Sequence, residues 1–260
     1  MEKAVGESGR TPLNANTRAT ERLVHAISIV GDNSRLPTAD LFLERTCVLS
    51  FVNSHAVNLA CANPEFLELL LGANLLLRDG VGMSLLYRWI GLDPGLNMNG
   101  TDYIPNVLAA ARGASVALYG SSREVADAAG ERLRSMGVNV ISSKDGFLPI
   151  AEYANCVRVD RPRVVVLGMG MPKQEAVAQL LRTAVSEPIL IINGGAILDF
   201  LADRFQRAPP WLRRLGLEWL FRLVLEPRRL WRRYILGNIV FLARAAALAI
   251  RMRIARNREP

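Results

Sequence analysis

Apolar and polar positions along this chain fall into blocks, and the blocks change period in a regular way. Residues 46–52 are a short run of apolar and β-forming side chains, which predicts a buried strand. Polar Asn53-Ser54-His55 follows, then helical spacing through Ala56, Leu59 and Ala60. Asn63-Pro64 opens another helix, with the proline suited to its first turn and Phe66, Leu67 and Leu70 as its apolar stripe. Residues 74–77 predict a strand and 83–90 a helix; 94–99 read as a loop before a helix over 103–111. The alternation continues with strands over 115–119, 139–142, 163–167 and 188–192, and helices over 123–136, 150–159 and 173–185.

Strands that recur every 20–30 residues with helices between them predict an α/β fold, a Rossmann-like, doubly wound, mostly parallel sheet. Residues 1–20 are polar and read as a flexible arm without the apolar stretch of a signal peptide. Residues 21–206 form the core of the prediction, although 21–43 are too weakly patterned to assign elements. Residues 207–260 read as a basic, amphipathic helical appendage.

Charge sharpens that division. The chain of 260 residues has a formal net charge of +8. Residues 204–260 hold fourteen arginines, no lysine and three acids, a net of +11, so the rest carries −3. Basicity confined to one segment points to an anionic surface. At 100° per residue, Arg228, Arg229, Arg232, Arg233, Arg244 and Arg251 fall on one half of a helix. Leu230, Trp231, Tyr234, Phe241 and Leu248 fall on the other. This suits a helix lying on anionic lipid; a helix packed on the domain is the plainer reading. Nucleic acid is disfavoured by the apolar content of 235–250. That stretch is short for a spanning helix and carries Arg244. An exposed apolar face could equally be covered by a second copy of the chain, so a homo-oligomer stays open. Cys47, Cys61 and Cys156 are odd in number and lack metal spacing, as expected of free thiols in a reducing compartment.

Ligands of open parallel sheets bind beyond the carboxyl ends of the strands. Five predicted loops lie there: 53–55, 79–82, 120–122, 168–175 and 193–195. Asp79, between a strand and Gly80 and Gly82, can take a proton from a hydroxyl or cap the next helix. Thr101 and Asp102 have the same two roles open, ligand contact or cap, with capping the simpler. Gly120 and Ser121 can hold a phosphate at a helix start or form an ordinary cap. Gly168 and Gly170 match part of a dinucleotide fingerprint, but no third glycine follows. Pro172, Lys173, Gln174 and Glu175 come next. A lysine in the first turn opposes the helix dipole, which an anionic ligand would rationalise; a solvated side chain is the alternative. His55 stands alone and reads as structural. No ligand-spaced cluster of His, Asp or Glu is present, so neither metal nor cofactor is expected.

These motifs together resemble the WecG/TagA/CpsF family of bacterial glycosyltransferases. The resemblance covers about residues 46–242. It rests on Asn53, Asp79-Gly80-Val81-Gly82, Gly100-Thr101-Asp102, the run from Leu167 to Glu175, and Asn193-Gly194-Gly195-Ala196 with Asp199-Phe200. It continues through Arg207-Ala208-Pro209 with Trp211, Gly216-Leu217-Glu218-Trp219, and Glu226-Pro227 with Arg229-Leu230 and Arg232-Arg233-Tyr234. It implies an inverting, metal-independent transfer from a UDP-sugar to a polyprenyl-diphosphate-linked saccharide, at the cytoplasmic face of the bacterial inner membrane. Asp79 matches the family's proposed general base. Lys173, Gln174 and tail arginines, with Arg214, Arg222, Arg229, Arg232 and Arg233 as candidates, would meet the donor diphosphate. One position departs: where the pattern often has Thr two residues before Asn53, this chain has Phe51. That admits a plain hexose such as UDP-glucose beside an N-acetylmannosamine donor. Two other readings remain. A nicotinamide-dependent reductase would need a glycine fingerprint at the first strand–helix turn and an acid about 20 residues on. A non-catalytic membrane-binding module would use the tail alone.

Overall fold

The computed structural model describes residues 12–32, 44–111 and 113–257, with backbone alone for 12–14. Chain order begins α1 (Pro12–Ala26), β1 (Ile27–Ser28), β2 (Cys47–Val52), α2 (Ser54–Ala62), α3 (Pro64–Leu71), β3 (Leu75–Arg78), α4 (Val81–Trp89) and α5 (Gly100–Ala110). It continues β4 (Val116–Gly120), α6 (Arg123–Ser135), β5 (Val140–Lys144), α7 (Ile150–Asp160), β6 (Val164–Gly168), α8 (Lys173–Ala184), β7 (Leu190–Asn193) and α9 (Ile197–Leu201). The tail holds α10 (Pro210–Arg214), α11 (Glu218–Leu225) and α12 (Pro227–Trp231). A π-helical turn (Arg232–Leu236) joins α12 to α13 (Gly237–Arg256), so one helix runs for 30 residues, Pro227–Arg256.

The seven strands form one sheet in the order β1-β3-β2-β7-β6-β4-β5, and every pair is parallel. β2, β4, β6 and β7 are buried along their whole length. This follows from their unbroken Val, Leu and Ile content, since helices cover both faces of a parallel sheet. The fold is therefore α/β as expected. The strand order reverses between β2 and β7, and the loops after β2, β3, β6 and β7 open on one crevice.

Two corrections concern the ends. Residues 12–20, expected in a structureless arm, are the first half of α1; residues 1–11 lie outside the described part. Ala19, Thr20, Leu23 and Val24 give α1 a buried stripe at the i, i+4 spacing of an amphipathic helix. The second correction is to the reading of the tail's apolar half as a lipid face. Phe241, Ala245, Leu248 and Ala249 of α13 share one core cluster with α1 to α4, and Leu230 is buried as well. Arg244 donates to the backbone and side chain of Asn58 (3.2 and 2.6 Å), and Arg251 pairs with Glu21 (3.3 Å). The apolar stripe offered to lipid is thus partly spent on the domain. The exposed apolar side chains are others, including Ile235, Leu236, Ile239 and Val240. Leu230, Phe241 and Leu248, which the wheel places on one half, are buried on both sides of the π turn; the periodicity marks the buried face, and the domain rather than lipid covers it because α1 to α4 leave an apolar surface there.

Candidate active site

The turn after β3 is the most heavily fixed part of the crevice. Arg78 is only 2% exposed, and its guanidinium is consumed by backbone and hydroxyl acceptors. It donates to Pro94 O (2.7 Å), Gly80 O (3.1 Å), Gly95 O (3.2 Å) and Ser84 Oγ (2.6 Å). The Asp79 N–H continues the ladder to Val52 O (2.9 Å), and Gly80 N–H donates to Asn97 Oδ1 (2.7 Å). Gly80 has φ +87, a conformation that favours glycine, and it turns the chain sharply into α4. Asp79 is thereby aimed into the crevice rather than onto a helix end; α4 has no side-chain cap.

Asn53 supports Asp79 from the neighbouring strand. Its Oδ1 accepts from the N–H groups of His55 and Ala56 (both 3.1 Å), capping α2. With Oδ1 so used, the Asn53 amide N–H₂ is the group that favours the ionised Asp79 carboxyl. Burial pushes the Asp79 carboxyl up to about 6; the Asn53 hydrogen bond opposes this, Glu218 adds to it, and Arg233 and Arg78 oppose it. Burial, followed by the nearby Arg233, lowers His55 to about 4, so it is neutral at physiological pH.

Two cavities meet at Asp79. The first, about 370 Å³, runs along the strand ends past Asn53, Thr101, Ser121, Gly168, Gly170, Gln174, Asn193, Gly194 and Gly195. Phe51, Phe147, Asp199 and Phe200 also line it. The second, about 410 Å³, lies between α4 and the tail, lined by Gly80, Val81, Gly82, Leu85, Glu218, Trp219, Tyr234, Phe241 and Leu242 among others. Asn53, His55, Asp79, Thr101, Arg222 and Arg233 border both. A carboxyl group at the junction of two chambers can act on a group from each.

The opposite bank is tied together by Gln174, itself 1% exposed. Its Oε1 accepts from Gly170 N (3.2 Å) and Gly195 N (3.0 Å), and its Nε2 donates to Glu175 Oε1 (2.9 Å). One side chain thus pins the loops after β6 and β7. Glu175 is buried behind it, raised to about 7 chiefly by that burial. Asn193 donates to Ser50 Oγ (2.7 Å). Ser121 donates to Asp199 Oδ1 (3.2 Å). Gly120 admits a close approach of β4 to β6, because a Cβ there would lie 2.3 Å from the Gly168 backbone.

Several predicted residues line neither cavity. Lys173 donates to Gly146 O (2.8 Å) and Leu148 O (2.9 Å), and these carbonyls offset its charge at a helix start. Asp102 neither caps α5, a role taken by Asn99, nor faces the crevice. It accepts from Arg207 (2.5 Å), with Arg213 at 3.5 Å, and so fastens the tail to the core. Gly120, Pro172 and Glu175 support the loops from behind. Of the tail arginines, Arg222, Arg229 and Arg233 line the first cavity, whereas Arg214 and Arg232 do not. Arg229 is paired with Glu226 (2.7 Å). Arg233 Nε is buried without a hydrogen-bond partner, as are Arg207 Nε and Arg213 Nε; of these three arginines, Arg233 borders both cavities. Among the described residues, no three His, Cys, Asp or Glu side chains come together as a metal site would require.

The family model for the glycosyl transferase WecG/TagA/CpsF family matches residues 35–256. The chain belongs to that family. Two relatives carry the name N-acetylglucosaminyldiphosphoundecaprenol N-acetyl-beta-D-mannosaminyltransferase. That of Bacillus subtilis (strain 168) is 27% identical over 222 residues, 81% of this chain and 85% of its own. That of Bacillus spizizenii is 28% identical over 179 residues, 67% and 69% respectively. The match takes in β2 to β7 and the tail alike. Within it, sequence reasoning passed over Asn99, Phe147 and Asp199 as site residues. Asp199 stood in a recognised block; Phe147 had no motif to mark it.

Proposed function

We propose that this glycosyltransferase moves a sugar from a UDP-sugar to a saccharide on a polyprenyl diphosphate, with inversion and without a metal ion. The carrying observation is the pair of cavities that share Asp79, with Arg233, whose Nε has no hydrogen-bond partner, bordering both. The first cavity would take the donor and the second, lined by Trp219 and Tyr234, the acceptor. Asp79 accepts the proton of the acceptor hydroxyl as that oxygen attacks the anomeric carbon. The new C–O bond forms on one face while the bond to the diphosphate oxygen breaks on the other, and its electron pair leaves with UDP. Arg233, Arg222 and Arg229 meet the growing charge on that leaving group. The names of the relatives favour a lipid-linked acceptor.

The donor is N-acetylmannosamine-like or glucose. Phe51 is buried at the cavity wall, packed edge-on against Tyr103 (6.5 Å). A phenyl ring there offers a sugar no hydrogen bond. The exposed Trp231, Ile235, Leu236, Ile239 and Val240, with the neighbouring arginines, would rest on the cytoplasmic face of the bacterial inner membrane. Pro227–Arg256 is long and apolar enough to cross a bilayer, but its buried stripe favours a helix lying on the domain. The deciding experiment incubates radiolabelled UDP-sugars with polyprenyl-diphosphate mono- and disaccharides, using wild type and Asp79→Asn. Transfer by the variant at the wild-type rate would remove Asp79 as the base.

A further inference from the structure

Phe147 is 80% exposed, yet its loop is held by hydrogen bonds on every side. Exposure alone carries no argument, since Val159 is 79% exposed and lines neither cavity. Phe147 lines the first cavity. Its own N–H donates to Asp145 Oδ1 (2.9 Å), and Tyr153 Oη donates to Asp145 O (2.9 Å). Gly146 N–H donates to Ser121 O (2.8 Å), which folds the loop back over the end of β4. Lys173 then grips the carbonyls on either side of Phe147, those of Gly146 and Leu148. These bonds order the loop backbone, which costs entropy, and so hold the exposed ring at a fixed place on the cavity rim.

The position suggests the partner. Asp79 follows β3, and the Phe147 loop lies over β4, four strands further along the order β3-β2-β7-β6-β4. Four steps of strand spacing are about 19 Å, comparable to an extended nucleoside diphosphate sugar, whose reacting carbon and base are its two ends. With the anomeric carbon at Asp79 and the diphosphate under the tail arginines, the base reaches the rim where Phe147 stands. We propose that Phe147 is the stacking platform for the donor nucleobase, and that Lys173 is the positioning residue that holds it. Resting on the donor reading above, this gives Lys173 a part in donor binding that involves no contact with the diphosphate.

Calorimetry on the full chain tests it with two probes, UDP and inorganic pyrophosphate. Stacking on an aromatic ring predicts that Phe147→Ala weakens UDP binding roughly 5- to 100-fold, leaves pyrophosphate binding unchanged, and raises KM for the UDP-sugar with kcat kept. Phe147→Tyr should restore UDP binding. Lys173→Met should give a smaller loss of the same kind, again confined to UDP. Phe147→Ala binding UDP as tightly as the wild type would overturn the platform alone. Equal losses for UDP and pyrophosphate would also overturn it, because the ring would then be shaping the diphosphate site. A wild-type protein that bound no UDP would overturn the donor reading and the platform together.

Discussion

The end of β3 and the π-helical turn of the tail each bring an arginine near Asp79, and the two are used in opposite ways. Arg78 sends its donors to three carbonyls and a hydroxyl. Arg233 leaves Nε unpartnered and borders both cavities. Burial lowers the pKa of each, so charge and desolvation do not tell them apart. What differs is where the hydrogen bonds go. A guanidinium whose donors are taken up by backbone and hydroxyl acceptors is a structural tie, and one that borders a cavity with donors left over suits an anion.

Substitutions at the three charged groups would break that comparison most severely. Asp79→Asn should lower kcat by roughly 10²- to 10⁴-fold, the usual contribution of a general base, as read from radiolabel transfer. Arg233→Met should lower kcat/KM by roughly 10²-fold or more while stability holds or rises, since a buried charge without a full set of partners is replaced by an apolar chain. Arg78→Met should do the reverse in emphasis. It should cost about 2–4 kcal/mol of stability in denaturant titration through orphaned carbonyls, with activity lost only as far as the Asp79 turn loosens. If Arg233→Met melted early and Arg78→Met did not, the assignment of the two roles would be wrong.

Dependence on pH sharpens the comparison further. A base at about 6 makes the transfer rate fall as pH drops through that value. Arg233→Met removes a cation that lowers Asp79, so the acid limb should move to higher pH; Glu218→Gln should move it lower. Stability follows the same group with a definite sign. The folded pKa lies above the ordinary 3.8, so Asp79 favours the folded state below about pH 4 and loses that contribution as pH rises through about 6. Asp79→Asn should therefore gain stability relative to wild type at pH 8 compared with pH 4, by up to about 2 kcal/mol. Melting curves at the two pH values check it. The smallest effect is expected at the surface. Ile239→Asp with Val240→Asp should weaken binding to anionic vesicles roughly tenfold with stability within about 0.5 kcal/mol.

Much of this molecule was legible without coordinates because it is set by local periodicity. Runs such as Val164 to Leu167 can only be strands covered on both sides, and their alternation with helices leaves few topologies besides a parallel sheet. The loops at the strand ends, Asp79 among them, follow from that alternation and the family motifs. The tertiary structure alone decided which polar groups met each other. Lys173 is held by carbonyls 25 and 27 residues away, Asp102 by an arginine 105 residues on, and Gln174 by two loops at once. A cation beside a glycine loop reads the same in sequence whether its donors reach backbone or ligand. The wheel marked the apolar half of the tail helix, but only the packing of Phe241, Ala245 and Leu248 against α1 to α4 decided that the domain covers it. Secondary structure is a property of neighbours in the chain, whereas a hydrogen-bond partner or a cavity wall is a property of neighbours in space.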